Sequence, residues 1–572
     1  MNDTDRASAR AVALTSGALG FALGSVGYGT WQASVETAQF VAGLVRYPAD
    51  NPVAIYHAKY WSIVHQVLAV ALAAGVSERT LSLLLSGVIG LLSFAAVALC
   101  TFALSRNALV AVAMPPLVFW SGAANYGPAI SISLLGRWQT MNVLGLAFVM
   151  LVIAAFALGA NRAGAFGLGL VPAVHATFGA LCWIVVVAAL VPLLRARRVD
   201  ARAMARWFAL GLAVTAASVG WELVILRGVA PIASDAAALY VRTFVALWDA
   251  HRQPVPLGAR GLVHVAAAMV IAWLWLRVYR EDLREPAPVL LRVVLASGVL
   301  SVIAVALSWL PPDRVPALIL VSMPARVLNF AILAFPLLVI GLLAAQRMRP
   351  LSQIVLLGVV FGTVMRPELA SKPLLLGAAG LIVARTLEDR APALMRRLAS
   401  LLVPARVAVA VVLVATTALV AARGYVRWRD GIEPLRDRTN DAVFAAAAGS
   451  PGLLLTGGDA ALIQLRTRRP VLLDGSGLDG LMYAAENGPI VVRILRDVYG
   501  IDFFHPPKEA LGMGAVPRLW TRDVWERRSL AEWQAIRRAY GVTEVMTFAD
   551  WTLALPDLAR GAEFRLYRIP LE

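Results

Sequence analysis

Residues 81–104 read LSLLLSGVIGLLSFAAVALCTFAL, a run of 24 residues without a charged side chain. As an α-helix this run is about 36 Å long, which exceeds the roughly 30 Å hydrocarbon core of a bilayer. Similar apolar runs recur along the chain and are separated by short, arginine-bearing segments. The sequence therefore predicts an α-helical polytopic membrane protein.

The composition of the whole chain supports this prediction. The 572 residues are 59% hydrophobic and only 15% charged, and the mean hydropathy is +0.72. Soluble domains are usually about 45–50% apolar and about 25% charged. These values exclude a soluble globular chain, a disordered chain and a small disulfide-stabilised scaffold. Cys100 and Cys182 both lie in apolar runs, so we expect no disulfide framework and no cysteine-based metal site.

The net charge of +17 indicates membrane topology and not nucleic-acid binding. From Arg423 onward there are 20 basic and 19 acidic residues, which leaves 32 basic and 16 acidic residues in the part before it. The positive excess thus lies among the predicted spans, as contact with lipid headgroups requires. A nucleic-acid-binding module would instead concentrate the charge on a soluble face.

The apolar runs predict about thirteen transmembrane helices, several of them shorter than a full crossing. The predicted spans are Ala11–Thr30, Ser62–Gly75, Leu81–Leu104, Ala108–Trp120, Asn142–Leu158, Ala165–Leu194, Trp207–Leu226, Gly261–Leu276, Val289–Leu310, Val327–Ala345, Leu351–Val364, Pro373–Ala384 and Val407–Ala422.

The distribution of arginines predicts the orientation, because arginine-rich short loops stay in the cytoplasm. The densest loop lies between residues 195 and 206, and placing it inside also places the amino terminus inside as an uncleaved first span. Three longer segments then lie outside: Trp31–Trp61, Arg227–Arg260 and residues 423–572. The predicted domains are a transmembrane domain, residues 1–422, and an extracytoplasmic α/β domain, residues 423–572.

The carboxy-terminal segment alternates short β-rich runs with helical stretches. Predicted strands are Leu453–Leu455, Val471–Asp474, Val542–Thr547 and Phe564–Ile569, and predicted helices include Ile490–Tyr499 and Leu530–Tyr540. About 150 residues are enough to bury a core without disulfides.

The first outer segment contains the most suggestive side chains for catalysis. Glu36 follows the first span closely, and Asp50, His57 and Lys59 come after it in the same segment. A positioned carboxylate can act as a general base, and a cation can stabilise a departing phosphate. The alternative is an amphipathic helix at the membrane interface on which Glu36 is merely solvated.

Ionisable residues inside predicted spans are costly and often mark a site, and His175, Glu222 and Arg137 stand out for this reason. His175 is also compatible with a hydrogen-bonded packing role, and Glu222 with a snorkelling or structurally paired charge. In the other outer segments Arg242, His251 and Arg366 are further candidates for binding a phosphate or a sugar. Solvated loop charge is the alternative for them.

The stretch GSGLDG at residues 475–480 matches the pattern G-x-G-x-x-G and follows a predicted strand. In a suitable strand and helix context this pattern binds dinucleotides. On the predicted outer face we interpret it as a glycine-rich turn.

Three stretches resemble those of a bacterial group of GT-C-like membrane proteins: ETAQFVAGL at 36–44, RWQTMNVLGL at 137–146 leading to His175, and WERRSLAEW at 525–533 followed by YGV at 540–542. The resemblance implies a membrane glycosyltransferase with an inverting mechanism and a polyprenyl-phosphate sugar as donor. Glu36 matches the position of the family's acid in the first outer loop. The familiar members usually have Asp there, often with a second acid.

By this resemblance Glu36 would take the proton of an acceptor hydroxyl, and the acceptor would be an envelope glycan, lipid or protein. Asp50, His57, Lys59, His175, Glu222, Arg242, His251 and Arg366 are then the candidate substrate-binding residues. The expected location is the bacterial inner membrane. Two alternatives remain: a transporter or flippase of lipid-linked sugars, and a non-catalytic scaffold that retains a GT-C-like shell.

Overall fold

The structure is a computed structural model of the chain. It describes residues 3–27, 31–48, 50–60, 62–121, 141–195, 200–228, 232–249, 252, 254–256, 260–278, 287–330, 349–365, 371–432, 442–457, 460–473 and 477–571.

Most of the described chain before residue 433 is helical. The helices of this part are α1 (Asp3–Ala22), α2 (Ala33–Val41), α3 (Pro52–Lys59), α4 (Ile63–Ala73), α5 (Glu78–Ser105), α6 (Ala108–Ser121), α7 (Met141–Ala157), α8 (Asn161–Val174), α9 (Ala176–Arg195), α10 (Ala201–Ile225), α11 (Ser234–Thr243), α12 (Arg260–Arg277), α13 (Pro288–Ser308), α14 (Ala317–Ser322), α15 (Pro350–Met365), α16 (Ser371–Arg390) and α17 (Pro392–Ile432).

Five helical segments of the described part are long and apolar enough to cross a membrane: Asp3–Val26, Glu78–Ser105, Ala176–Arg195, Ala201–Ile225 and Pro288–Ser308. Shorter apolar helices, such as α4 and α7, accompany them. The chain is therefore a polytopic helical membrane protein, while the count of thirteen spans stays a prediction. The predicted span Val327–Ala345 lies largely outside the described residues.

Glycines allow the closest contacts between membrane helices. A Cβ atom on Gly20 of α1 would collide with the backbone of Gly90 on α5, and one on Gly169 of α8 would collide with the backbone of α10 near Gly211. The Thr215 hydroxyl donates a hydrogen bond of 2.8 Å to the carbonyl of Gly169 across the second contact. Small residues are favoured at such positions because lipid-exposed helices associate mainly through close packing.

The predicted single span Ala165–Leu194 is two helices, α8 and α9, which are separated at His175. The backbone of His175 is extended, with φ −157° and ψ 105°. Pro172 near the end of α8 cannot donate the regular helical hydrogen bond, which favours a break here. The His175 ring, 2.8 Å from the side-chain oxygen of Asn142 on α7, stabilises the interruption.

After residue 441 the chain forms a four-stranded sheet with helices around it. The strands are β1 (Leu453–Thr456), β2 (Val542–Phe548), β3 (Asp557–Arg560) and β4 (Phe564–Arg568), in the order β1-β2-β4-β3. The helices are α18 (Ala442–Ala448), α19 (Ala460–Thr467), α20 (Gly488–Tyr499), α21 (Arg518–Glu526) and α22 (Leu530–Tyr540).

Strands β1 and β2 pair in parallel, and β4 is antiparallel to both β2 and β3. The predicted strand at Val471 is reduced to one bridge, between Leu454 and Val471. Strand β3 was not predicted because its residues are exposed or half-buried and lack an apolar alternation.

The core of this carboxy-terminal part includes residues from the second predicted outer segment. Trp248 is fully buried there, its indole N–H donates to the carbonyl of Phe503 at 2.9 Å, and its ring stacks on Phe503. Val241 and Phe244 belong to the same cluster. Residues near 245 and the carboxy-terminal part therefore lie on the same side of the membrane helices.

A buried ion pair lies beside the sheet. The side chains of Arg469 and Glu544 are 4% and 2% exposed, and their charged groups are in direct contact. Arg469 also donates to the carbonyls of Pro451 and Gly452, each at 3.0 Å. Removing one member of such a pair leaves an uncompensated buried charge.

Replacing Arg469 by Met (Arg469→Met) is expected to destabilise the carboxy-terminal part by about 3 kcal/mol, because Glu544 would lose its buried partner and keep only the exposed Arg568, at 3.5 Å. Thermal unfolding of the purified full chain, followed by tryptophan fluorescence, measures the effect. The matched control is Arg496→Met, which breaks an ion pair with Asp497 in which Arg496 is 70% exposed. Equal unfolding temperatures for the two variants would contradict a stabilising role for the buried pair.

Candidate functional site

Helix α2 carries Glu36 into a buried position. Ser34 to Gln39 are all buried, and Glu36 is 8% exposed. The alternative of a solvated Glu36 on an interfacial helix does not fit this burial. Helix α3 follows, and its first turn is capped by the Asn51 side chain, which accepts a hydrogen bond of 2.8 Å from the Val53 N–H.

Four carboxamide side chains connect the first outer segment to the carboxy-terminal part. Gln39 and Asn51 donate to the carbonyls of Leu465 and Val471, at 3.0 and 3.2 Å. In the reverse direction, Gln464 donates to the carbonyl of Glu36 at 3.1 Å and Asn487 donates to that of Pro52 at 2.7 Å. Each segment thus satisfies backbone carbonyls of the other, and the two segments lie on one side of the membrane helices.

Three tyrosines form the centre of the site. The rings of Tyr56 and Tyr60 stack at 5.2 Å, and Tyr483 from the carboxy-terminal part lies 5.7 Å from Tyr60. Burial raises the pKa of Tyr56 well above 10, and the neighbouring Tyr60, Tyr483, Asp479 and Glu36 raise it further. The Tyr56 hydroxyl therefore stays protonated and can donate a hydrogen bond.

Arg326 brings a buried cation to the same cluster. Its side chain is in the turn Pro324–Val327, is 7% exposed, and lies 6.0 Å from the Phe178 ring. Burial raises the pKa of Tyr60, and Arg326 lies close enough to lower it in part. Within the described residues Arg326 forms no ion pair, and its Nε has no hydrogen-bond partner. A buried cation without a carboxylate partner is a candidate for binding an anionic ligand.

His57 is 3% exposed and lies between aromatic rings, with Phe40 at 5.8 Å and Tyr56 at 5.5 Å. Its Nδ1 is 3.0 Å from the Thr37 hydroxyl, and its Nε2 has no partner that meets hydrogen-bond geometry. Burial lowers the pKa of His57 from 6.5 to about 4, against a smaller opposite effect of the nearby Gln464 side chain. His57 is therefore neutral at physiological pH.

The other candidates in the outer segments are distributed differently. Lys59 forms an ion pair with Glu486 of the carboxy-terminal part. Asp50 is exposed, and Arg242 is half-buried on α11. His251 and Arg366, and also Arg137, lie outside the described residues.

Two candidates lie deeper among the membrane helices. His175 bonds to Asn142 and packs against Phe178, with ring centroids 4.7 Å apart, which brings it near Arg326. Glu222 on α10 is 3% exposed, and one of its carboxyl oxygens has no hydrogen-bond partner. One turn earlier, Ser218 bonds to Gln66 on α4, so this face of α10 is turned towards α4.

The glycine-rich stretch packs against the tyrosines. Its described part is the turn Gly477–Met482, and a Cβ atom on Gly480 would lie 3.0 Å from the Tyr56 ring. Asp479 of this turn is 3.9 Å from Arg252, which is itself in contact with the buried Asp249. A larger residue here would press on the Tyr56 ring, so glycine favours this close packing, in agreement with the interpretation as a turn.

Several site residues were not recognised in the sequence. Arg326 immediately precedes a predicted span, where a basic residue is usually a topology signal. Gln464 and Tyr483 carry no recognisable motif, and their contacts are formed with residues more than 400 positions away. Among the described residues no group of three or more His, Cys, Asp or Glu side chains could hold a metal ion.

No protein-family model and no curated protein matches the chain. Among solved structures, the chain is similar to ArnT from Cupriavidus metallidurans bound to undecaprenyl phosphate, with a TM-score of 0.40 and 13% identity. The apo state of ArnT from Cupriavidus metallidurans gives a TM-score of 0.36 and 14% identity. Both comparisons cover 98% of this chain and 97% of the other.

The lowered pKa of His57 predicts a pH-dependent stability. In the unfolded chain His57 binds a proton below about pH 6.5, whereas in the folded chain it does so only below about pH 4. The contribution of neutral His57 to the stability is therefore fully present above about pH 6.5. It is lost as the pH falls from about 6.5 to about 4, by a total of about 3 kcal/mol.

The measurement is the unfolding temperature between pH 7.5 and pH 4.5, compared with that of His57→Gln. We expect a weaker pH dependence in this variant. His505→Gln is the matched control, because His505 is 85% exposed. An unchanged pH dependence in His57→Gln would show that folding does not lower the pKa of His57.

Proposed function

We propose that the protein is a GT-C-like inverting glycosyltransferase of the bacterial inner membrane, with a polyprenyl-phosphate-linked sugar as donor. The acceptor is an envelope glycan, lipid or protein. In this proposal residues 1–422 form the membrane domain, and residues 423–572 form an extracytoplasmic α/β domain.

One observation carries the proposal. A buried carboxylate, Glu36, lies near Tyr56, and a buried guanidinium, Arg326, lies near Tyr60, whose ring stacks on that of Tyr56. An inverting sugar transfer needs a base for the acceptor hydroxyl and a cation for the leaving phosphate, and these two groups supply both. The stretch at 36–44, which resembles GT-C-like proteins, contains the base.

In the proposed reaction, Glu36 accepts the proton of the acceptor hydroxyl. The hydroxyl oxygen forms a bond to the anomeric carbon of the donor sugar, and the bond from that carbon to the phosphate oxygen breaks. Polyprenyl phosphate leaves with the bonding electron pair, and the configuration at the anomeric carbon is inverted. The protonated hydroxyl of Tyr56 can donate to a sugar or phosphate oxygen during this step.

Arg326 is the proposed phosphate-binding residue. Among the earlier candidates, His57 is neutral and Lys59 is already paired with Glu486. A guanidinium can donate two parallel hydrogen bonds to a phosphate, which suits it to this role.

The location of the site on the outer face is part of the proposal. It is supported by the contacts that hold the first outer segment, the second outer segment and the carboxy-terminal part together on one side. The arginine-rich loop at residues 195–206 is predicted on the opposite side.

Glu36→Gln is expected to reduce sugar transfer by a factor of at least about 100, because the base is lost while its shape is kept. The assay measures transfer from a radiolabelled polyprenyl-phosphate sugar pool to membrane extracts. The matched control is Glu509→Gln at an exposed position of the carboxy-terminal part, which should retain activity.

Full activity of Glu36→Gln would place the base elsewhere. If the folded wild-type protein transfers no sugar from a broad donor pool, the transferase proposal fails. The transporter and scaffold alternatives then take its place.

Arg326→Gln is expected to weaken the binding of undecaprenyl phosphate by about 10- to 100-fold, since a charge-assisted hydrogen bond to phosphate is lost. Binding to the purified protein is measured by displacement of a labelled lipid phosphate. Arg314→Gln, an exposed arginine of the preceding turn, is the control. Equal affinities of the two variants would argue against a phosphate contact of Arg326.

A further inference from the structure

Helix α2 has only nine residues, so its orientation depends on its surroundings and not on its own stability. On one side, Gln32 before the helix donates to the Ser86 hydroxyl of α5 at 2.7 Å, and Gln39 donates to Glu78 at the start of α5 at 3.2 Å. On the other side the helix contacts α19 of the carboxy-terminal part. The rotation of α2 about its axis is fixed by both sides together.

Gln464 on α19 contacts the backbone of Glu36. Its side chain is fully buried, and its amide nitrogen lies 3.1 Å from the carbonyl of Glu36 and 3.4 Å from the side-chain oxygen of Gln39. Its oxygen accepts a hydrogen bond from the Tyr47 hydroxyl. One residue from the carboxy-terminal part thus joins three positions of the first outer segment.

An ion pair lies at the edge of this hydrogen-bond network around Gln464. Glu78, which accepts from Gln39, is also paired with Arg468, the residue that follows α19, at 2.6 Å. The amide of Gln39 donates in addition to the carbonyl of Leu465. Buried polar groups with mutually satisfied hydrogen bonds fix one arrangement, since any other leaves a group without a partner.

We propose that Gln464 is a positioning residue that holds the helix of Glu36 in the orientation needed for proton transfer. Helix α19 therefore contributes to the active site by orienting α2. This inference rests on the proposed function of Glu36 as the base. Gln464 acts through the backbone of Glu36 and not on the substrate. Its loss should lower the turnover rate with little effect on substrate binding, because misplacement of a reacting group by about 1 Å can reduce the rate about 100-fold.

Two variants of Gln464 test this role in the full-length protein. Gln464→Met keeps the approximate shape without hydrogen bonds. Gln464→Glu keeps the length and an oxygen for Tyr47 but lacks the amide donor. The matched control is Thr467→Val on the same helix, because the buried Thr467 hydroxyl bonds to the carbonyl of Ile463 at 2.7 Å and to the N–H of Arg469 at 3.3 Å, and both partners belong to the carboxy-terminal part.

Two readouts are used for each variant. In hydrogen–deuterium exchange, the amides of α2 should exchange about tenfold faster in both Gln464 variants, since a hydrogen bond that holds the helix is lost. In the transfer assay, kcat should fall about 10- to 100-fold with KM changed less than about twofold. Thr467→Val should behave as the wild type in both measurements.

The outcomes separate this inference from the proposed function. Wild-type exchange at α2 in both Gln464 variants would overturn the positioning role, whatever the activity. Faster exchange with an unchanged kcat in an active enzyme would also overturn it. If the wild-type protein transfers no sugar, the proposed function fails, and the exchange data still decide whether Gln464 holds α2.

Discussion

The structure depends on one reciprocal contact, in which the first outer segment and the carboxy-terminal part donate carboxamide hydrogen bonds to each other's backbone carbonyls. Gln39 and Asn51 donate in one direction, and Gln464 and Asn487 donate in the other. Removal of one of these carboxamides would delete a buried hydrogen bond across the interface, which costs about 1 kcal/mol. The two segments are thereby held in one relative position. This position determines where Glu36 and the three tyrosines lie.

Burial has different consequences for two arginines of this molecule, one that is paired and one that is not. Arg469 is buried with Glu544 and with carbonyls of the chain around it, so its charge is compensated and contributes to the fold. Arg326 is buried among aromatic rings and has no carboxylate partner within the described residues. A buried charge without a partner costs free energy of folding. Such a cost is retained where a ligand compensates the charge, and this distinguishes a candidate binding residue from a structural arginine.

Much of the fold could be predicted from the sequence, because apolar length and strand alternation are local properties. The runs around α5 and α10 and the strands β2 and β4 have such local signals. The partners of Glu36 have none, since Gln464 is 428 residues away and a glutamine carries no periodicity. The position of Arg326 does not indicate a binding residue, because an arginine directly before an apolar run usually resembles a topology signal. The interruption at His175 had a visible cause in Pro172, which a hydropathy window cannot register.

The distance along the chain between Glu36 and Gln464 also determines when the site can form. At about 5–20 residues per second, the ribosome needs about 20 to 90 s to synthesise the intervening 428 residues. During that time α2 has already been made but lacks its partner helix. A protein interrupted before α19 would contain every predicted membrane helix and the carboxylate of Glu36, yet its site would be unassembled. The order of synthesis therefore leaves the proposed site incomplete until α19 has been made and has met α2.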